Sequence, residues 1–455
     1  MEQTFPVPPL LKEISGFFRN AGFSAYLVGG AVRDFFLKKE ASDWDIATDA
    51  QPQEVMRLFR RTIPTGIEHG TVTVLYKNKH IECTTFRTEA DYTDGRHPAA
   101  VAYTATIEED LARRDFTMNA IAVSLPDGAI VDPFDGRADI RAGRIQTVGN
   151  PLDRFLEDGL RPVRAVRFAA QLGFTVDAGT LQAIPQALHI TKKISIERFR
   201  EEFTKMLSCQ TPLAGLRLME STGLFTLFIP ELMECRGVGQ GSFHHFDVLD
   251  HSFLVCNACP AGMEHIHIRL AGLFHDIGKP AARKEAADGS CTFYRHEAIS
   301  EKMTRSIMRR LKYSNAEIEK TAHLVAEHMF HYDPSWTDAA VRRFIVRVGK
   351  ENIDDLFALR KADVFGLRGA YAEPNFLVEF TARIDNILAE DGAYSLKDLA
   401  VNGKDLMAIG IPAGKCLGLV LHDLLETVLD DPAQNTKETL LPIASALYER
   451  IQRFQ

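Results

Sequence analysis

The chain is poor in cysteine and has no long apolar run. Its seven cysteines are an odd number spread through 455 residues, unlike the dense disulfide framework of small secreted domains, so we expect reduced thiols. Cys256 and Cys259 form one C-x-x-C pair, which predicts helix packing rather than a zinc site because no second pair accompanies it. No stretch approaches the roughly 18 apolar residues of a membrane helix, and the first ten residues lack signal-peptide features. These absences predict a cytoplasmic protein with no membrane partner.

Positive charge is also in short supply. The chain has 53 lysines and arginines against 61 aspartates and glutamates, a net charge of −8, which taken alone argues against a nucleic-acid partner. The deficit is uneven, since residues 141–210 hold 11 basic and 7 acidic side chains. A hydrophobic content of 45% is typical of globular proteins. The length predicts three or four domains.

Strand patterns occupy the first part of the chain and helical patterns the rest. Segments 71–76 and 80–86 flank a Lys-Asn-Lys link and predict a hairpin, and 120–125 predicts another strand. After residue 141 the strand pattern ends. The predicted helices there include 153–172, 195–208, 212–223, 247–258 and 265–274.

Two glycines follow a predicted strand at 25–28 and precede a predicted helix. Gly29 and Gly30 let the backbone approach a ligand closely, and the helix N-terminus offers free N–H groups. Arg33 adds a fixed positive fork, so this segment has the composition of a triphosphate cradle. A purely structural turn needs the same glycines, and the segment alone does not separate the two interpretations.

Asp43 and Asp45 lie two residues apart, which places both on one face of a strand. Adjacent carboxylates repel unless solvent or a cation screens them, and Mg²⁺ prefers a few carboxylate oxygens together with substrate phosphates. Glu82, in the predicted strand 80–86, adds a third carboxylate. We therefore predict a catalytic Mg²⁺ site at Asp43, Asp45 and Glu82. An exposed strand end is the alternative for the aspartate pair.

Five motifs occur in a fixed order along the first 202 residues. They are GGAVRD (29–34), DWDIAT (43–48), RRDFTMNA (113–120), RFLEDGLRPVRAVRF (154–168) and ERFREE (197–202). This set resembles the class II tRNA nucleotidyltransferases and bacterial poly(A) polymerases. The resemblance implies a polymerase-beta-like head in which an RNA 3′-hydroxyl attacks the α-phosphate of a nucleoside triphosphate. Mg²⁺ on the aspartates and a pocket of Gly29, Gly30, Arg33 and Arg114 would then surround the triphosphate.

Asp158 and Arg161 lie three residues apart, which predicts neighbours on one helix face, with Arg164 and Arg167 continuing the band. Cytosine and adenine both present an amine donor beside a ring-nitrogen acceptor, so one carboxylate and one guanidinium match either base. Uracil and guanine reverse that order. The resemblance assigns base selection to Asp158 and Arg161, with Arg164 and Arg167 contacting base or phosphate. From spacing alone, a surface ion pair is the alternative.

The resemblance implies tRNA, CTP and ATP as partners and CCA addition as the activity. Residues 87–98 resemble the flexible loop of enzymes that add the full CCA sequence, which favours CCA over CC addition, and a plain surface loop is the alternative. Three other functions stay open: a poly(A) polymerase, an enzyme that adds only the terminal A, and an RNA-binding or repair phosphohydrolase with an inactive transferase head.

A second candidate site lies in the helical part. Segment 271–280, AGLFHDIGKP, resembles the HD-domain phosphohydrolases, whose ligand pattern is completed in order by His251, His275, Asp276, His296, His328 and Asp363. Such ligands suit one or two divalent ions that activate water against a phosphoester. The resemblance implies a Ni²⁺, Mn²⁺ or Mg²⁺ site with phosphatase or 2′,3′-cyclic phosphodiesterase activity on damaged RNA ends. Coincidence among 15 histidines is the alternative.

The predicted fold class is α+β, with a polymerase-beta-like head of mixed sheet and helices followed by an all-α neck, HD domain and tail. The predicted domains are the head at 1–140, the base-selecting neck at 141–235, the HD domain at 236–375 and a tRNA-binding tail at 376–455.

Overall fold

The computed structural model describes residues 4–40, 44–67, 70–92, 98–241, 245–285, 291–368, 375–389 and 395–453. The chain forms two compact units. The N-terminal unit comprises residues 1–233 with 261–263 and 310–313, and the C-terminal unit comprises the remainder. Their division at residue 233 lies beside the predicted boundary at 235. In the described ranges, every helix is too short or too polar to cross a bilayer.

A seven-stranded mixed sheet is the centre of the N-terminal unit. Its strand order is β3-β4-β5-β2-β1-β8-β9, and β6 pairs with β7 in a separate hairpin. The strands are β1 (Ala25–Val28), β2 (Trp44–Thr48), β3 (Thr62–Gly66), β4 (Thr71–Tyr76), β5 (Lys79–Thr85), β6 (Arg87–Tyr92), β7 (Pro98–Tyr103), β8 (Ala122–Ser124), β9 (Ile130–Val131), β10 (Arg144–Ile145) and β11 (Thr175–Val176). The predicted mixed sheet is therefore present. Of the segment 87–98, residues 87–92 form β6 and Pro98 begins β7, and residues 93–97 lie outside the described residues.

The predicted hairpin at 71–86 is confirmed. Tyr76 pairs with Lys79 across a two-residue turn, and the turn residues Lys77 and Asn78 have φ values of 46° and 60°. Two successive positive φ angles are typical of a type I′ turn, whose twist matches that of the flanking strands.

Helices account for most of the rest of the N-terminal unit. They are α1 (Pro9–Asn20), α2 (Gly30–Phe36), α3 (Pro52–Leu58), α4 (Ile107–Ala112), α5 (Gly136–Ala142), α6 (Pro151–Glu157), α7 (Arg161–Leu172), α8 (Ala178–Gln186), α9 (Leu188–Thr191), α10 (Ile196–Leu207), α11 (Leu213–Ser221), α12 (Leu224–Phe228) and α13 (Pro230–Met233).

The prediction of one helix over 153–172 is wrong. Helix α6 ends at Glu157 and α7 begins at Arg161. Pro162 explains the break, because inside a continuous helix its ring would clash with the carbonyl of Asp158, whereas the first turn of a helix tolerates proline. Gly159 lies in the break, where a Cβ would be only 2.8 Å from the carbonyl oxygen of Ile190.

The C-terminal unit is almost entirely helical. Its elements are α14 (Val248–Ala258), α15 (Ile266–Phe274), α16 (Lys279–Ala282), β12 (Lys284–Glu285), β13 (Cys291–Thr292), α17 (His296–Arg310), α18 (Asn315–Glu327), α19 (Asp338–Val348), α20 (Ile353–Arg368), α21 (Asn375–Ala389), α22 (Gly403–Ala408), α23 (Lys415–Asp430) and α24 (Lys437–Arg453). The all-α prediction after residue 141 missed β10 to β13, because two-residue strands are too short to show a period of two.

Candidate active site

The Gly-Gly turn lies where the sequence predicts it, between the end of β1 and the start of α2. Gly29 has a φ of +74°, a conformation that side chains disfavour. A Cβ at this position would lie 3.3 Å from Oδ2 of Asp45 and 3.5 Å from Nη1 of Arg114. The turn therefore keeps a small space open between an acidic and a basic side chain.

Two of the three predicted carboxylates are register neighbours. Strands β2 and β5 run parallel, and Asp45 pairs with Glu82, so both side chains lie on the same face of the sheet. Cys83, next to Glu82, is buried, and burial together with the charges of Asp45 and Glu82 raises the pKa of its thiol. Asp43 lies outside the described residues. The sheet thus brings Asp45 and Glu82 together beside the Gly29 turn.

The two predicted phosphate-binding arginines are held by other side chains. Arg33 is 6% exposed; its Nη1 donates to Oδ1 of Asn119 at 3.0 Å and its Nε donates to Oδ1 of Asp34 at 2.9 Å. Nη2 of Arg114 donates to Oδ2 of Asp110 at 3.2 Å, which leaves Nη1 of the same guanidinium beside the Gly29 turn. Arg114 is therefore aimed at the space that Gly29 keeps open, whereas Arg33 is bonded to Asn119 and Asp34.

Arg164 and Arg167 surround one aromatic ring. Their guanidinium carbons lie 5.3 Å and 3.7 Å from the ring centroid of Phe168, and that of Arg33 lies 5.3 Å from it. Arg164 donates from Nε to Oδ2 of Asp115 at 2.8 Å. Arg167 donates to Glu202. These contacts fix the direction of all three guanidinium groups.

Asp115 is ionised by its surroundings. Burial opposes the charge, but the guanidinium of Arg164 and hydrogen bonds from Asn119 and Arg164 outweigh burial and lower the pKa of Asp115 to about 2. Asp115 is therefore a permanent anion at neutral pH, and Arg164 is its counterion.

The predicted pair of Asp158 and Arg161 is not formed. Asp158 lies in the break after α6 and accepts two bonds from Arg198, at 3.2 Å and 2.9 Å. Arg161 donates from Nη1 to Oε2 of Glu157 at 2.5 Å and from Nη2 to the carbonyl of Arg113 at 2.9 Å. The prediction that both lie on one helix face is wrong, because the chain leaves the helix between them.

Sequence reasoning named no role for Arg198 or Glu202, although both occur in the ERFREE motif. Arg198 is the partner of Asp158, and Glu202 is the partner of Arg167. Both contacts join residues at least 35 positions apart, so spacing within a helix could not have revealed them. The sequence offered one indication of these contacts, namely that the motifs at 154–168 and 197–202 occur together in the chain.

All six predicted ligands of the second site meet in the C-terminal unit. They come from separate helices or helix ends: His251 on α14, His275 and Asp276 after α15, His296 at the start of α17, His328 after α18 and Asp363 on α20. The structure therefore brings together residues that span more than 100 positions of sequence.

Short distances connect the rings of this group, which we call the histidine cluster. Nε2 of His251 lies 3.1 Å from Nε2 of His275, and Nε2 of His296 lies 3.3 Å from Nε2 of His328. His251 also lies 3.1 Å from Oδ1 of Asp363. Two sets of three ligand atoms, one from His251, His275 and Asp363 and one from His275, Asp276 and His328, each lie within 4.8 Å.

Hydrogen bonds at the outer edge of three rings determine which nitrogen faces the cluster. Nδ1 of His275, His296 and His328 lies 2.9, 2.9 and 2.7 Å from the carbonyl oxygen of the residue three positions earlier. A carbonyl only accepts, so each Nδ1 carries the proton, and Nε2 of the neutral ring is left as an acceptor. Three inward lone pairs beside carboxylates form a donor set that a divalent cation satisfies.

Asp276 supplies a second sign that a cation fits. Its Oδ1 is buried and accepts no hydrogen bond from the part of the chain that is described, although Nε2 of His296 lies 3.1 Å away. Its Oδ2 lies 2.7 Å from Nζ of Lys279. Burial opposes ionisation, but Lys279 helps to hold the pKa of Asp276 well below its usual range. Burial lowers the pKa of His328 to about 3, so that ring is a neutral ligand.

The C-x-x-C pair has no part in the cluster. Cys256 and Cys259 are free and buried, and burial raises the pKa of the Cys256 thiol to about 12. Sγ of Cys259 lies 3.6 Å from the carbonyl oxygen of Ile268. Both thiols are therefore packed and protonated, as expected from the sequence.

The mixed sheet, its adjacent carboxylates and the Gly-Gly turn are the features of a polymerase-beta-like nucleotidyltransferase head, which forms the first part of the N-terminal unit. Residues 25–146 match the model of the poly A polymerase head domain. Residues 173–235 match a model described as the probable RNA and SrmB-binding site of polymerase A, and 291–444 match the putative tRNA nucleotidyltransferase domain 2.

Relatives over the full length narrow this class to one family. The chain is 34% identical to the CCA-adding enzyme of Enterococcus faecalis, over 96% of this chain and 94% of that one. It is 32% identical to the CCA-adding enzyme of Limosilactobacillus fermentum, over 97% and 96%. The chain belongs to the CCA-adding enzyme family of tRNA nucleotidyltransferases.

Solved structures agree with this assignment. The Bacillus stearothermophilus CCA-adding enzyme in complex with CTP superposes with a TM-score of 0.73 at 30% identity, covering 98% of this chain and 99% of that one. The Thermotoga maritima CCA-adding enzyme complexed with tRNA, at 19% identity and a TM-score of 0.58 over 97% and 96%, shares the fold.

Gly29 offers a direct test of the space beside Asp45. We expect Gly29→Ala to lower the kcat/KM of nucleotide transfer by about 100-fold, because the new Cβ would occupy the gap between Asp45 and Arg114. Single-turnover primer extension on tRNA measures the effect. Gly22→Ala is the matched control, since Gly22 also has a positive φ but meets no atom within 4 Å. Equal losses in both variants would mean that backbone strain alone is responsible.

Proposed function

We propose that this chain adds C, C and A to the 3′ end of tRNA, using CTP and ATP, at the site formed by Asp45, Glu82 and the Gly29 turn. The observation that supports it most strongly is the register pairing of Asp45 with Glu82, beside a turn into which Arg114 points. In the transfer step, the 3′-oxygen of the RNA bonds to the α-phosphorus and the bond to diphosphate breaks. The hydroxyl proton is released to solvent. With tRNA as the substrate, the cytoplasm is the proposed location.

The residues of the head fit a bound Mg²⁺. Asp45 and Glu82, joined by Asp43, would hold it, and the ion when bound supplies charge neutralisation at the reacting phosphate. Gly29 leaves room for phosphate oxygens near the backbone. Nη1 of Arg114 faces that space, and Nη2 donates to Asp110. The positive charge is therefore in position before the nucleotide binds.

Product analysis at single-nucleotide resolution separates the candidate activities. Labelled tRNA transcripts ending before CCA, after C and after CC are incubated with CTP, ATP or both and Mg²⁺. We expect addition to stop at the complete CCA end. Long A tails would identify a poly(A) polymerase, and extension only of the transcript ending in CC would identify an A-adding enzyme. No addition by the folded protein would favour an RNA-binding or repair phosphohydrolase with an inactive head.

We propose that Asp158 selects the base by accepting a hydrogen bond from the exocyclic amine of cytosine or adenine. In this structure its two oxygens are bonded to Arg198, so the nucleotide amine would replace one of these donors. Arg161 is 7% exposed and engaged with Glu157, which makes Asp158 the more accessible member of the predicted pair. Arg164 and Arg167 lie further along α7, as proposed contacts for base or phosphate.

Asp158→Ala should relax base choice and retain Mg²⁺-dependent transfer. With UTP bound, the carboxylate of Asp158 would face a carbonyl oxygen of uracil and find no donor on the base. Leaving such a group unpaired costs about 1–3 kcal/mol, and removing the carboxylate removes this penalty. We expect the preference for CTP over UTP to fall about tenfold or more, measured as the ratio of kcat/KM values. Asp153→Ala is the control, since Asp153 is an exposed aspartate of α6, the helix that ends just before Asp158. An unchanged preference in Asp158→Ala would contradict the assignment.

We further propose that the histidine cluster holds one or two divalent ions and hydrolyses phosphoesters of damaged RNA ends, as in an HD domain. When bound, Ni²⁺, Mn²⁺ or Mg²⁺ would supply an activated water. Opening a 2′,3′-cyclic phosphate consumes that water: its oxygen bonds to phosphorus, one ribose oxygen leaves, and the leaving oxygen takes up a proton. The inward Nε2 atoms and the unsatisfied Oδ1 of Asp276 support the site.

Two measurements test the cluster. Each metal alone should raise the unfolding temperature of the wild-type protein, because binding to the folded state stabilises it, and metal-loaded protein should open 2′,3′-cyclic AMP. Asp276→Ala should lose both effects. His422→Ala, which removes an exposed histidine of the same unit, should lose neither. Equal hydrolysis by wild type and Asp276→Ala would remove the proposal.

A further inference from the structure

Two exposed apolar side chains lie next to the histidine cluster. Tyr294 is 81% exposed and precedes His296 by two residues, and Met329 is 54% exposed and directly follows His328. Successive Cα atoms are about 3.8 Å apart, so both residues start within about 8 Å of the backbone of a cluster histidine. Tyr294 is also the most exposed large hydrophobic side chain in the described ranges. Exposed aromatic and thioether side chains beside a polar cluster are candidates for contact with the apolar part of a ligand.

The two exposed side chains flank histidines that contact each other. Nε2 of His296 lies 3.3 Å from Nε2 of His328, so Tyr294 and Met329 are neighbours in sequence of one contacting pair. Phe293, next to Tyr294, is half-buried, and its ring centroid lies 5.7 Å from Nζ of Lys279. Phe293 thus packs beside the buried ammonium, and we call the two exposed side chains, Tyr294 and Met329, the rim of the cluster.

Charge and polarity follow an order from the inside of this site to its rim. Lys279 is 8% exposed, and its Nζ lies 2.7 Å from Asp276 and donates to Oε1 of Gln240 at 2.5 Å. A buried ammonium beside the ligand set suits a phosphate oxygen. Aromatic and thioether groups at the rim suit the flat face of a base. A phosphate inside and a base outside is the layout of a nucleotide.

We propose that Tyr294 and Met329 bind the nucleobase of the nucleotide whose phosphate is hydrolysed at the histidine cluster. The preferred substrates are then nucleotides and RNA ends that carry a 3′-terminal phosphate, whatever the base, rather than base-free phosphoesters. Stacking is tolerant of base identity because every base has a π-face. The inference rests on the hydrolytic function proposed for the cluster.

Two five-membered cyclic phosphates, one on a nucleoside and one without ribose or base, test it. Hydrolysis of 2′,3′-cyclic AMP is compared with hydrolysis of glycerol 1,2-cyclic phosphate, which has the same five-membered ring and no base, by the full-length metal-loaded protein. We expect Tyr294→Ala to raise KM for cyclic AMP about tenfold with little change in kcat, and to leave the glycerol ester within twofold. Tyr294→Phe and Tyr294→Trp should restore the KM. Met329→Ala should show a smaller increase for the nucleotide alone.

Met263→Ala is the matched control, since Met263 is 55% exposed and lies in the N-terminal unit; it should leave both substrates unchanged. If Tyr294→Ala weakens both substrates equally, or neither, the base-binding role is wrong while hydrolysis by the cluster stands. If wild-type protein opens neither substrate with any of the three metals, the hydrolytic proposal fails and this inference fails with it.

Discussion

Arg164 and Arg167 are held in place by carboxylates that are buried or nearly so, and the candidate active site depends on these pairs. A guanidinium removed from water needs acceptors for its donors and an opposite charge close by. Asp115 provides both for Arg164, and Glu202 provides both for Arg167. Each pair joins parts of the chain 35 or more residues apart. The direction of each guanidinium is consequently set by the packing of α7 against its neighbours, before any nucleotide binds.

The same pairs change the meaning of the net charge of −8. Asp110, Asp115, Asp139 and Glu202 are all buried or nearly so and all have arginine partners. Because these charges lie in the interior, the net charge of the whole chain is a poor description of the surface that faces RNA. The basic surplus of residues 141–210 is likewise partly internal, because Arg167 is 7% exposed.

Local patterns predicted the elements well and long-range contacts poorly. The period of two placed Asp45 and Glu82 in strands, and their parallel pairing then brought the two side chains together. The same kind of local reasoning failed at Asp158 and Arg161, where Pro162 forces a new helix to begin. The partner of Asp158 is Arg198, 40 residues away. No spacing rule covers such a distance, since the packing of α10 against α7 in the folded unit decides it.

The histidine cluster shows how a structural requirement and a chemical one can use the same atoms. The last carbonyls of a helix lack intrahelical partners. His275 follows α15 and His328 follows α18, and each donates from Nδ1 to such a carbonyl, that of Gly272 or Val325. Capping alone accounts for these bonds and for the orientation of each ring. It does not account for Nε2 atoms of separate helices converging on Asp276, because inward acceptors beside a carboxylate repel one another unless a cation lies between them. The convergence, rather than the caps, is therefore the feature that the proposed cation would explain.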